Sequence, residues 1–328
     1  MDEDIHRLLE AQGGAGSVTQ LLVAGASRRV VDETVRRGDL VRVRNDAVIL
    51  REALASSTPW ERRGLTVRAV GHSLAPAGSG SHALSHQSAL MIHDLPYFGE
   101  GDLVHLVRTD AHRGRRDATI FVHGPVPGWA VEEVDGLRVV GPALAALQVA
   151  QSCGPEAGIV CLDGVLRRAE DQDLHDMGQR HGPSRASVIE QVDCLLESSI
   201  MTRTRHVSTV LELMDGRSQS VGESRSRWLL HLLGFGRATP QFEIRDRTTL
   251  YGVVDLKLAD HAVIVEFDGT TKYTGPGDLL AEKRREDQIR DLGYEVVRLT
   301  WSDLAHPRLV RQKILAAIAR AQARSRVG

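Results

Sequence analysis

Lysine is nearly missing from this chain. Its 41 basic residues are 37 arginines and four lysines, and all four (Lys257, Lys272, Lys283, Lys313) fall within the last 72 residues. Cysteine is as scarce: Cys153, Cys161 and Cys194 form no CxxC pair and leave an odd count, so neither a zinc knuckle nor a disulfide framework is indicated. No stretch approaches 18 consecutive apolar residues, and the first twelve residues begin acidic, so neither a spanning helix nor a signal peptide is readable. The cytoplasm is the expected location. Charge of one sign is lacking too. Because 41 basic residues meet 43 acidic ones, net −2, there is no global field for nucleic acid, and any basic surface must be local.

What is present suits a globular protein. Hydrophobic residues make up 42% and charged residues 26%, enough to bury cores and far from a disordered composition. At roughly 150 residues per domain, 328 residues allow two or three domains. The expected class is a multidomain α+β and α/β chain, divided as 1–57, 58–215 and 216–328.

Residues 1 to 50 read as three helices and a hairpin. A helix over roughly 2 to 12 is broken by Gly13, Gly14 and Gly16; Ser17 caps a second helix, and Ser27 caps a third, RRVVDETVRRGDL. Asn45-Asp46 is a turn between two short strands. Such an order is a winged helix-turn-helix, in which Arg28, Arg29, Arg36, Arg37, Arg42 and Arg44 are available to phosphates. Asp32, Glu33 and Asp39 lie among them, so a solvated salt-bridged face is the alternative. Residues 51 to 84, rich in Ser, Pro and Gly, read as a linker or long loop. The middle section that follows is mixed in pattern. His86 and His93 lie on one helix face with no Cys or carboxylate at ligand spacing, so packing or hydrogen bonding is expected of them.

The last 110 residues carry the chemistry. A helix near 220–233 precedes strands at Gln241–Arg245, Tyr251–Leu258 and Ala262–Asp268, then a charged helix to Leu292, a strand at Glu295–Trp301 and a final helix from Pro307. This is a mixed sheet flanked by helices. The second and third strands are so close in sequence that they must form an antiparallel hairpin. With a turn at Asp260-His261, paired positions sum to 521, and Asp255 stands opposite Glu266. Directly opposed like charges are unfavourable, so something must offset them. Asp268 shares the Glu266 face, while Val265 and Phe267 point into apolar packing. Hard oxygen ligands on strands otherwise as apolar as VIVEF are what Mg²⁺ or Mn²⁺ requires, and phosphodiester hydrolysis is the consequence. Lys272 and Lys283 are the candidates to orient water and neutralise developing charge. A one-residue slip would put the two acids on opposite faces.

These residues resemble a known pattern. Glu223 on a helix, Gln241 at the first strand, Asp255 on the second, Glu266-Phe267-Asp268-Gly269 on the third, a helix with Lys283, Arg284, Glu286 and Asp287, and Val296-Val297-Arg298 are similar to the PD-(D/E)XK restriction-endonuclease-like superfamily, in its very-short-patch-repair-like branch. The resemblance covers about residues 215 to 322. It implies a Mg²⁺ site built from Asp255, Glu266 and the Phe267 carbonyl, with Glu223 as a helix-borne ligand and Gln241, Asp268 and Arg298 in support. Two positions depart from the pattern: Asp268 stands where the superfamily has lysine, and Lys272 where a histidine often follows the glycine. Ser220-Val221-Gly222-Glu223 is also a capping box, which explains Glu223 without a metal. Gln241 could equally be a polar strand start, and Arg298 an ion-pair partner of the acids. The first 50 residues resemble the winged-helix domain of AbiEi-type antitoxins, and SHQSALMIHDLP and GLRVVGPALAALQVA are similar to the segment that accompanies it. That likeness implies DNA binding and autoregulation.

The expected function is a metal-dependent DNA endonuclease directed by its N-terminal winged helix, with DNA as partner and no membrane. The alternative is a non-catalytic, antitoxin-like DNA-binding regulator. A cognate toxin protein and a second copy of the chain are further partners.

Overall fold

The computed structural model describes residues 3–78, 80–99, 101–110, 112–175, 184–198, 200–269 and 285–325. The chain forms two compact units, Met1–Cys161 with Ala186–Ser208, and Leu162–Arg185 with Thr209–Gly328. Both mix helices with sheets, so the multidomain α+β expectation holds.

The first unit opens with α1 (Glu3–Ala11), β1 (Ala15–Ser17), α2 (Val18–Val23), α3 (Arg28–Arg37), β2 (Leu40–Arg44) and β3 (Ala47–Leu50). The strands form one sheet in the order β1-β3-β2, which is winged-helix topology. Local chemistry explains each boundary. Ser17 and Gln20 form a capping box at α2, Ser27 accepts the Val30 N–H at α3, and Gly38 ends α3 with φ of +84°. Asn45-Asp46 is the hairpin turn, and Asp46 Oδ1 accepts the Thr19 N–H at 2.8 Å, tying the wing to α2. Ile5, Leu9, Leu21, Val31, Leu40 and Val48 fill the core.

Most of 51–84, the stretch expected to be a linker or long loop, is helical, and among the described residues irregular chain remains mainly at 75–78 and 80–81. Residues Arg51–Ser56 form α4 and Pro59–Leu74 form α5, which packs on β1 and β3. Thr58 and Glu61 make a capping box with Pro59 at the first helical position, so Thr58-Pro59 marks a helix start, while Ser56 and Ser57 close α4. Beyond it come β4 (His82–Leu84), α6 (His86–Ile92), β5 (Val104–Arg108), β6 (Arg115–Arg116), β7 (Ile120–Pro125), β8 (Val131–Val134) and β9 (Leu137–Val140). These strands build a six-stranded mixed sheet, β6-β7-β5-β4-β9-β8, with β5 parallel to β7. Helices α7 (Pro142–Cys153), α8 (Pro155–His175), α9 (Arg185–Glu197) and α10 (Arg205–Leu213) follow.

The second unit holds α11 (Val221–Leu232), β10 (Ala238–Arg245), β11 (Leu250–Leu258), β12 (Val263–Asp268), α12 (helical residues 285–291), β13 (Glu295–Thr300), α13 (Trp301–Leu304) and α14 (Pro307–Ser325). The sheet order is β10-β11-β12-β13, antiparallel except for the parallel β12–β13 pair. On one face Leu256, Leu258, Val263, Val265, Val297 and Leu299 pack against α11 and α14. On the other, Ile244, Val254 and Ile264 meet Ile289 of α12. Among the described residues, no helix is long and apolar enough to cross a membrane.

Candidate metal centre and nucleic-acid interface

The expected register is the observed one. Leu256 pairs with Val265 and Lys257 with Ile264, both sums being 521, although the connection spans four residues, 259–262. The ladder then stops. In place of the next pair, Asp255 Oδ2 accepts the Phe267 N–H at 2.8 Å. At the same place the neighbouring strand is irregular: Gln241 adopts a left-handed φ of +48°, and Leu256 and Val254, two apart, pack into cores on opposite faces of the sheet. The strand turns over at Asp255, so its side chain escapes strict alternation.

This twist joins Asp255 to α11. Glu223, only 6% exposed, accepts the Gln219 N–H at 2.9 Å, the Ser220 hydroxyl at 2.9 Å and the Gln241 side-chain amide at 3.0 Å. Its own N–H goes to Ser220 Oγ, so only half of the expected capping box forms: Ser220 caps the helix, while the Glu223 carboxylate takes the Gln219 N–H in place of the Ser220 N–H. Burial, and after it the nearby Asp255 charge, pushes the Glu223 carboxyl up, against the Gln219 N–H bond that lowers it. Burial likewise raises Asp255, opposed by the Phe267 N–H and by the Arg285 charge. Two carboxyls of one sign therefore share a half-dry site.

Glu266 sits apart from that pair. It lies 3.6 Å from Arg285 and 3.8 Å from Arg298, and Arg298 also bonds Glu286 at 3.0 Å. Arg285, whose guanidinium also bonds the Val253 carbonyl, is the group that faces both acids. Asp268 stands beside Thr300 in the parallel ladder. The expected convergence of Asp255, Glu266 and Asp268 thus becomes a looser array: Glu223, Gln241 and Asp255 meet, with Glu266 across Arg285. No trio of these acids brings its ligand atoms within 4.8 Å of one another among the described residues. Lys272 and Lys283 lie outside the described residues. The arginine at 285 was not singled out from the sequence, because only the fold shows which turn of the charged helix faces the acids.

On the winged helix, Arg28, Arg29, Arg36 and Arg37 are exposed. Arg37 pairs with Glu33, Arg42 with Asp32 at 2.6 Å and Arg44 with Asp117 at 2.9 Å. No carboxylate pairs with Arg28, Arg29 or Arg36 among the described residues, which leaves those three as the cations most ready for phosphate. Of the two histidines weighed in sequence, His93 donates its Nε2–H to the Val140 carbonyl at 2.9 Å, as packing histidines do. His86 instead stacks on His123 at 3.9 Å.

No family model matches the chain. The uncharacterized proteins MT2308 and Rv2248 of Mycobacterium tuberculosis, from strains CDC 1551 and H37Rv, are each 23% identical over 306 residues, 92% of this chain and 99% of theirs. The similarity runs through both units.

Proposed function

We infer that the chain is a metal-dependent DNA endonuclease of the cytoplasm, carried to DNA by its winged helix. The observation supporting this best is the pair of raised carboxyls, buried Glu223 and half-buried Asp255, set where β11 and β12 part. Unbalanced negative charge of that kind suits a divalent cation, and Glu223, Asp255, Glu266 and the Phe267 carbonyl are hard oxygen donors of the type Mg²⁺ or Mn²⁺ takes. When bound, such a cation supplies Lewis acidity and lowers the pKa of a coordinated water. The chain's own residues do the rest. Asp255 is held in place by the Phe267 amide, and Gln241 fixes the Glu223 carboxylate. Arg285 and Arg298, beside Glu266, would meet the phosphate and balance the charge that grows on it. Lys272 or Lys283 would take the water-orienting role that lysine has in the superfamily this unit resembles.

The test is supercoiled-plasmid cleavage with Mg²⁺, comparing wild type with Asp255→Ala. Nicking by wild type and its loss in the variant support the reading; equal activity removes Asp255 from the site. The two ion pairs on Glu266, and Asp268 in the place of the superfamily lysine, favour a second reading, a DNA-binding regulator without cleavage. That reading expects sequence-selective retention of DNA and no strand scission with any divalent ion. A toxin protein and a second copy of the chain are partners it would add.

A further inference from the structure

The first unit carries an imidazole cluster that neither reading uses. His86 opens α6, while His105 and His123 lie on the adjacent parallel strands β5 and β7. Because His105 pairs with Phe121 and Val107 with His123, strand alternation puts both histidines on the same side of the sheet. Val104, Leu106, Ile120 and Val122 point the other way and are buried. His105 Nδ1 and His123 Nε2 are 2.9 Å apart, His86 stacks on His123 at 3.9 Å, and its Nδ1 is 3.0 Å from Ser85 Oγ. One nitrogen from each ring lies within 4.8 Å of the other two. His86 also holds φ at +51°, a conformation seldom adopted by a side chain of this size and tolerated where the surroundings fix it.

We propose that His86, His105 and His123 form a binding site for one borderline transition-metal dication, Zn²⁺ or its neighbours Co²⁺ and Ni²⁺, with a fourth coordination position left open. Three imidazoles are the donor set of an open zinc centre, and nitrogen donors select these ions over Mg²⁺ and Ca²⁺. At Zn–N distances of about 2.0–2.1 Å, tetrahedral ligand nitrogens stand roughly 3.3 Å apart. The His105–His123 pair would open by only a few tenths of an ångström. The Ser85 hydroxyl beside His86 Nδ1 is the kind of outer partner that fixes a ligating ring's tautomer. Ligation takes the neutral imidazole, and burial acts in that direction on all three rings, lowering each below the usual histidine value. Arg63 and Arg116 contribute positive potential at His105, so the open position is expected to take an anionic ligand, hydroxide or a carboxylate.

The proposal rests on nothing in the nuclease reading. Its test is equilibrium dialysis of the untagged full-length chain against Zn²⁺ at neutral pH, in a Cys153→Ser/Cys194→Ser background that removes the two exposed thiols. The parent should hold one equivalent that excess Mg²⁺ does not displace. His123→Phe, which keeps a ring in the stack, and His105→Asn should each weaken retention by about 100-fold or more, since loss of even an outer partner costs 10–100-fold. Bound Co²⁺ should give visible bands without a thiolate charge-transfer band. No stoichiometric Zn²⁺ in the parent, displacement by Mg²⁺, or equal binding in a folded variant overturns the proposal. If one variant fails to fold, the other and the Co²⁺ spectrum decide.

Discussion

Glu223→Gln separates the two roles that Glu223 could fill. Its carboxylate accepts three hydrogen bonds, from the Gln219 N–H, the Ser220 hydroxyl and the Gln241 amide. Glutamine is itself a capping-box residue: its oxygen can take the Gln219 and Gln241 donors, and its amide can turn to Ser220. The expected hydrogen-bond cost is under about 1 kcal/mol, whereas Glu223→Ala loses all three bonds at about 1 kcal/mol each and strands Gln241. Charge works in the opposite direction. The folded-state pKa of Glu223 is raised, so the folded protein binds this proton more tightly than the unfolded chain does, and stability falls as pH climbs from the ordinary value of 4.5 through the raised one. At neutral pH the glutamine variant escapes that penalty; its melting temperature should equal or exceed that of wild type, and the advantage should shrink as pH drops towards 4.5. The alanine variant should melt lower by roughly 2–4 °C per kcal/mol lost. If Glu223 ligates metal, the glutamine variant, folded and stable, should nonetheless lose Mg²⁺-dependent cleavage by about 10²-fold or more, the scale of removing one charge-stabilising group. Thermal unfolding by circular dichroism and plasmid nicking read the two effects separately. A glutamine variant as unstable as alanine would refute the hydrogen-bond accounting, and one that cleaves like wild type would refute the ligand role.

Asp163 is 1% exposed and bonds Arg227 at 2.5 Å, Ser224 at 2.7 Å and the Asp215 N–H at 2.8 Å; Asp163→Ala strands a buried guanidinium and should cost about 3–5 kcal/mol in denaturant unfolding. A Cβ at Gly222 would sit 2.0 Å from the Phe267 ring, so Gly222→Ala should displace that ring, destabilise by about 1–3 kcal/mol and reduce any cleavage through the Asp255–Phe267 contact; unchanged melting would show that the helix yields instead. Neutralising Arg29 and Arg36 together should lower the salt slope of DNA binding by about two, and Arg42→Gln, whose guanidinium already bonds Asp32, should change it by less than half as much; equal effects in a fluorescence titration would count against the winged-helix interface.

The elements with local chemistry were legible. Ser17, Ser27 and Asn45-Asp46 mark helix starts and a turn through side chains a few residues away, whereas the third helix, expected to run to Leu40, stops at Gly38; the 521 register holds because the four-residue connection is centred on the expected Asp260-His261 turn. Composition misleads over 51–84: Thr58-Pro59-Trp60-Glu61 sits in a Ser- and Pro-rich stretch that suggests a loop, yet its spacing is that of a capped helix start. At the site, alternation placed Glu266 but not the Asp255 side chain, because β11 turns over at Asp255, beside the left-handed Gln241, and no periodic pattern in the sequence marks that point. The pairing of Glu266 with Arg285 and Arg298 and the meeting of His86, His105 and His123 are products of the fold, joining elements far apart in sequence.

The most direct measurement is the anomalous difference map of a crystal of the full chain soaked in Mn²⁺. The account expects one peak bounded by the Asp255 and Glu223 carboxylates and the Phe267 carbonyl, with Glu266 released from Arg285 to reach it. A map with no peak there, and Glu266 still held by both arginines, would contradict it.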